Sequence, residues 1–118
     1  MIENLRFYLK AMDLYDLCWN DCSTLMKDHR GKAIASQLIR SIGSVSANIE
    51  EGAGRGYGKE YPQFLRISRG SALESKGWYL RSKFLLPPEI ISQRVQTLNE
   101  ITGAISKTII TLENKRKK

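Results

Sequence analysis

The sequence has little of what most enzyme chemistries need. It holds one histidine, His29, and two cysteines, Cys18 and Cys22. No nucleophile stands near His29, so a Ser-His-Asp or Cys-His arrangement is not indicated. Two thiols and a distant imidazole cannot complete a tetrahedral zinc site without carboxylates or another chain. The cysteines lie four apart in a helical pattern and so share a helix face. Buried free thiols in a reducing compartment are the expectation. No E-x-x-H motif occurs, which argues against a di-iron carboxylate bundle. Glu50 and Glu51 are neighbours, and on a helix they point about 100° apart, a poor acid/base pair. Hence no catalytic residue, metal ligand or cofactor is assigned, and a non-enzyme is expected.

Other absences are structural. No apolar run approaches the length of a membrane span. The first residues, MIENLRFYLKAMD, mix apolar and charged side chains and do not read as a secretory leader. A cytoplasmic protein with no membrane contact is expected. Apolar and polar residues never alternate for long, so no strand is expected. At 118 residues, one domain over 1–118 is the simplest division.

What is present is helical spacing, in four segments. The first runs from about Glu3 to Lys27, with Leu5, Leu9, Met12, Leu14, Leu17, Cys18, Trp19, Cys22 and Leu25 in a broad apolar stripe. His29-Arg30-Gly31 interrupts it. The second runs from about Lys32 to Glu51, on Ile34, Leu38, Ile42, Val45 and Ile49. The third, from about Lys59 to Leu85, carries Pro62 in its first turn, where proline is tolerated. Phe64, Ile67, Leu73, Trp78 and Leu80 are its main apolar positions. After Pro87, Pro88 and Glu89 open the fourth, which reaches about Lys115. Its apolar side holds Ile91, Val95, Leu98, Ile101, Ile105, Ile109 and Leu112. Four long helices with short connections predict an all-α, antiparallel up-down-up-down four-helix bundle. Small residues crowd the second helix (Ala33, Ala35, Ser36, Ser41, Gly43, Ser44, Ser46, Ala47) and part of the third (Ser68, Gly70, Ser71, Ala72). They predict close packing of these two helices, or a subunit contact. Phe7, Tyr8, Tyr15, Trp19, Trp78 and Tyr79 exceed what one small core needs, which points to an interface.

The stretch NIEEGAGRGYGKEY, residues 48–61, looks at first like a phosphate loop. A dinucleotide fingerprint would need a third glycine where Tyr57 or Lys59 stands. A P-loop would need glycine at Ala53 and a hydroxyl at Glu60. A helix, not a strand, precedes the stretch. It therefore reads as a hairpin between two helices, with Gly52 as the left-handed residue that ends the first.

The formal charge is +7. Residues 1–29 are net acidic, and the excess of Lys and Arg lies beyond them, ending in Lys115-Arg116-Lys117-Lys118. Such a balance favours anionic partners, above all nucleic acid. The cations with polar or glycine neighbours, Arg55, Lys59 and Arg66, together with the tail Lys115, Arg116, Lys117 and Lys118, are the candidate phosphate contacts.

Residues 37–74, QLIRSIGSVSANIEEGAGRGYGKEYPQFLRISRGSALE, resemble the four helix bundle protein family, also called the S23 or 23S rRNA intervening-sequence protein family. That family reads roughly Q-x-x-R-A-x-x-S-I-x-x-N-I-A-E-G-x-x-R, then F-L-x-I-A-x-G-S-x-x-E. The matches are Gln37, Arg40, Ser44, Asn48, Ile49, Glu51, Gly52, Arg55, Phe64, Leu65, Ile67, Gly70, Ser71 and Glu74. Ser41, Val45, Glu50 and Ser68 depart from it, and Glu50 adds an acid beside the loop. The resemblance implies an up-and-down bundle assembled as a ring, typically a homopentamer, with no known enzymatic activity. A related group, the accessory variability proteins of diversity-generating retroelements, implies nucleic acid and a reverse transcriptase as partners. Among the matched polar residues two readings stay open. Arg40 or Arg69 pairs with Glu51 or Glu74 while Asn48 caps loop backbone groups, or Arg55, Lys59, Arg66 and Arg69 form an anion-binding surface.

Overall fold

The four helical segments appear as α1 (Arg6–Leu25), α2 (His29–Gly54), α3 (Tyr61–Arg81) and α4 (Pro88–Lys117). The computed structural model describes Ile2 and residues 5–117, without the Lys117 side chain; Lys118 lies outside the described residues. No strand occurs among them. Pairings between helices show that neighbours run antiparallel. The start of α1 meets the end of α2 through Tyr8 and Glu50, and the end of α1 meets the start of α4 through Asp21 and Arg94. α2 and α3 are joined across the middle of their overlap, by Ser41 with Ser75 and Val45 with Ser68. The result is an elongated four-helix bundle, 52 × 22 × 20 Å, in which each helix flanks the next and α4 returns to α1.

Three limits of α2 and α3 differ by three residues or more from the expectation. α2 begins at His29, not beyond Gly31, because Asp28 caps it. The Asp28 carboxylate accepts from the backbone N–H of Arg30 (2.8 Å) and Gly31 (3.2 Å). Gly31 permits this tight turn, since a Cβ there would lie 1.9 Å from the Leu25 carbonyl oxygen. At its other end α2 runs through Gly52 to Gly54. Gly52 is helical and buried and is not the left-handed terminator; a Cβ on it would lie 2.6 Å from the Tyr61 ring. The left-handed residues are Gly56 and Tyr57. α3 stops at Arg81, and residues 82–87 form the connection to α4. Pro62 and Pro88 stand in the first turns of α3 and α4, as the sequence indicates.

The core is built from Leu14, Leu25, Leu38, Ile42, Ile49, Leu65, Leu98, Ile101 and Ile105, all essentially without solvent contact. The stripes of α2 and α4 are those read from spacing. That of α1 is shifted: Phe7, Ala11, Leu14, Cys18, Cys22 and Leu25 are buried, while Leu9, Met12, Leu17 and Trp19 are exposed. α3 departs most. It buries Leu65, Ser68, Ala72, Ser75 and Tyr79, and exposes Ile67, Leu73 and Leu80. Phe7 and Tyr79 are core residues rather than surplus surface.

The α3 pattern follows from its contact with α2. The Ser68 hydroxyl donates to the Val45 carbonyl (2.7 Å), Ser71 pairs with Ser44 (2.9 Å) and Ser75 with Ser41 (2.8 Å). Asn48 donates to the carbonyl and hydroxyl of Ser44 one turn back. Small side chains let the two backbones approach, and the hydroxyls satisfy one another inside the contact. Among the described residues no buried side-chain nitrogen or oxygen lacks a partner. Each such bond adds about 1 kcal/mol, but an orphaned buried hydroxyl would cost about 1–3 kcal/mol.

A second polar element ties α1, α3 and α4 together. Arg94 holds the Asp21 carboxylate through Nε (2.9 Å) and Nη2 (3.3 Å), and Tyr79 donates its hydroxyl to the same carboxylate at 2.6 Å. All three are buried. Burial pushes the Tyr79 hydroxyl far above the ordinary tyrosine range, so it remains a donor. Beside it, Cys18 and Cys22 are free and buried, with sulfurs 3.9 Å apart. Their mutual hydrogen bond raises Cys18, which burial raises further, and lowers Cys22.

Substitutions at the buried pair and at two glycines test this packing. Asp21→Ala leaves the Arg94 guanidinium buried without its carboxylate, so it is expected to cost about 3–5 kcal/mol in chemical denaturation. Adding Arg94→Leu should recover part of this; a loss below about 1 kcal/mol in the single variant would contradict the account. Gly31→Ala and Gly70→Ala should differ in sign. The first drives a Cβ into backbone and should lose about 1–3 kcal/mol. The second meets nothing within 4 Å and should gain up to about 1 kcal/mol in the isolated subunit.

Candidate nucleic-acid interface

The candidate cations come from two distant parts of the sequence, and the antiparallel order brings them to one end of the bundle. The α2–α3 connection supplies Arg55 and Lys59, the second turn of α3 supplies Arg66, and the last turns of α4 supply Lys115 and Arg116. Lys59, Arg66 and Arg116 line a single open cleft with Pro62, Gln63 and Glu113. The α3 N-terminus supplies Pro62 and Gln63 to this cleft, and the helix dipole adds positive potential there. Lys115 and Arg116 are exposed on the last turns of α4.

Within this cluster the charges are not equally available. Arg66 donates through Nη2 to Glu113, a pairing of residues 47 apart that no sequence signal announces. Lys59 is exposed and has no ion-pair partner among the described residues. Arg55 donates to Glu51 through Nε (3.2 Å) and Nη2 (3.1 Å) and to Glu60 through Nη1 (3.1 Å). Its guanidinium also lies 5.1 Å from the Phe64 ring centroid. Hydrogen bonding to Glu51 raises its pKa above the ordinary arginine value. Arg55 thus braces the hairpin through its two half-exposed ion pairs.

The polar network expected among the matched residues takes another form. Neither Arg40 nor Arg69 pairs with Glu51 or Glu74. Arg69 reaches across to α4 and donates to the Ser106 hydroxyl (3.1 Å). Glu74 accepts from the Trp78 indole (3.1 Å). Arg40 is exposed, with no hydrogen-bond partner among the described residues. Gln37 is half-buried on α2, and Asn48 bonds within its own helix and does not cap the loop. The reason is register. Arg40 and Asn48 sit two turns apart, but the α2 face toward α3 is occupied by the serines, which leaves no room for long charged side chains.

No group of three or more His, Cys, Asp or Glu able to hold a metal occurs among the described residues. No helix among them is long and apolar enough to cross a membrane.

The architecture defines the class first: an antiparallel four-helix bundle with a basic cleft at one end. Residues 3–110 match the model of the 23S rRNA-intervening sequence protein family, and the chain belongs to that family. A solved structure supports the fold. It is a protein of unknown function from the S23 ribosomal protein family of Bacteroides thetaiotaomicron VPI-5482, with a TM-score of 0.78 and 20% identity. The similarity covers 87% of this chain and 97% of that one. No curated protein matches the chain.

The Arg66–Glu113 pair offers a direct test of the cleft. Glu113→Gln releases Arg66 and removes the one acid among the described residues that line it, so affinity for polyphosphate or RNA should rise about two- to fivefold at low salt. An unchanged or weaker affinity in a titration would argue against the cleft as the anion site.

Proposed function

We propose that the protein is a non-enzymatic scaffold that binds RNA or DNA through phosphate contacts at the α3/α4 end of the bundle. The observation that carries this reading is the convergence of Lys59, Arg66 and Arg116 on one cleft. The side chains are long, solvated cations without a shaped pocket for a base edge. That arrangement suits sequence-independent attraction to phosphate. Arg55 contributes by positioning the hairpin, and Lys117 and Lys118 extend the tail.

The same reading includes self-assembly, as a ring and with five subunits as the family resemblance implies. Large apolar side chains remain exposed on several faces, among them Trp19 (61%), Leu73 (63%) and Ile110 (60%). An apolar cleft between α1 and α2, lined by Trp19, Cys22, Met26, Ala35 and Ile39, adds to them. Such surfaces mark protein contact. They also support the alternative that a protein, for instance a reverse transcriptase, is the main partner and nucleic acid is secondary. Recovery of a stoichiometric protein from nuclease-treated lysate would favour that alternative.

Binding to structured RNA should weaken steeply between about 50 and 200 mM salt. The double variant Lys59→Gln/Arg116→Gln should lower affinity and flatten the slope of log K against log salt by about 0.7–0.9 for each phosphate no longer neutralised. Absence of binding at low salt, or binding indifferent to salt, would refute the reading. Light scattering at micromolar concentration should report a mass of several subunits, and a monomer would refute assembly.

A further inference from the structure

The opposite end of the bundle, formed by the α1–α2 and α3–α4 connections, carries a different kind of surface. Phe84 stands in the α3–α4 connection and is 86% exposed, the most exposed of the large hydrophobic side chains described. Its ring lies outside the core, whereas its neighbour Leu86 is buried. Cations surround it. The Lys83 ammonium lies 5.2 Å from the ring centroid. Arg30, at the start of α2, and Arg81, at the end of α3, share a cleft with Phe84, Ile34 and Leu85.

Both arginines are held in place by groups outside the cleft. Asp28 binds the Arg30 guanidinium through Nε (3.3 Å) and Nη2 (3.2 Å), and the Arg81 guanidinium sits 5.0 Å over the Trp78 ring. Among the described residues no carboxylate lines this cleft. An exposed aromatic face flanked by positioned guanidinium groups matches what an unpaired nucleotide presents. The base offers a π-face to stack, and the phosphate offers oxygens to the Arg81 guanidinium and to the edge of Arg30 that Asp28 leaves free. A duplex hides its base faces within the stack and offers no equivalent partner.

We propose that this end binds single-stranded nucleic acid, with one base stacked on Phe84 and the adjoining phosphate between Arg30 and Arg81. The inference rests on the nucleic-acid reading above but assigns it a second, chemically distinct site. Duplex or structured regions would engage the α3/α4 cleft by charge alone, and an unpaired stretch would engage the Phe84 end by stacking. A bundle 52 Å long separates the two, so one folded RNA with a single-stranded arm could occupy both.

The test uses the full chain and three probes: a labelled oligouridylate, a blunt RNA duplex and vesicles containing anionic lipid. Phe84→Ala should weaken the single strand by about 5- to 150-fold and change duplex affinity less than about twofold. Phe84→Tyr keeps a stacking face and should stay within about threefold of the wild type. Circular dichroism should show both variants folded, because Phe84 contributes nothing to the core. If Phe84→Ala binds the single strand like the wild type while Lys59→Gln/Arg116→Gln loses the duplex, this inference fails and the first site stands. If the wild type binds neither nucleic acid, both fail. If Phe84→Ala loses vesicle binding alone, the end is a membrane contact and the inference is overturned.

Discussion

The contact between α2 and α3 is the constraint on which the rest of this bundle depends. A core of leucine and isoleucine would hold two helices apart at the distance their side chains require. Here Ser41, Ser44, Ser68, Ser71 and Ser75 replace bulk with hydroxyls that bond across the contact. Gly52 extends the close approach to the hairpin, where Tyr61 and Phe64 cover it. Because this face of α3 is polar, the larger apolar residues of that helix are turned outward. The exposed Ile67, Leu73 and Leu80 are thus a consequence of how α3 meets α2.

The remaining two helices are secured differently. α1 touches α4 less extensively than α2 touches α3, and the Asp21–Arg94 pair with Tyr79 spans that side. A buried ion pair of this kind adds little net stability, since desolvation offsets much of the attraction, but losing one partner leaves the other charge buried and unpaired. Arg94 reaches both carboxylate oxygens of Asp21 across this side. The two polar elements therefore divide the work: hydroxyls set the spacing of α2 and α3, and a charge pair sets the placement of α1 against α4.

The two ends of the bundle inherit their chemistry from connectivity. At one end the hairpin is closed upon itself by Arg55, Glu51 and Glu60, and the cleft beside it is left to Lys59, Arg66 and Arg116. At the other, the short α1–α2 turn brings Arg30 beside the loop that carries Phe84. Neither grouping is local in sequence. Up-down-up-down order places residues 66 and 113 together, and likewise residues 30 and 84.

The helix number, the all-α class and the stripes of α2 and α4 were legible from residue spacing alone, because a strict helical apolar period has one economical solution. The rejection of a phosphate loop at residues 48–61 also needed only spacing. What escaped was the face of α3, since serines carry no apolar signal, and the shifted stripe of α1, where Leu9, Met12 and Trp19 compete with Phe7, Ala11 and Cys18. The Asp21–Arg94–Tyr79 cluster was invisible for a related reason: its members lie 58 and 73 residues from Asp21, and each alone looks like an ordinary surface or core residue. The sequence by itself determined the helices and the excess of positive charge. Only the tertiary structure decided which cations are neutralised, as Arg55 is, and which converge, because pairing depends on distances that antiparallel packing alone sets.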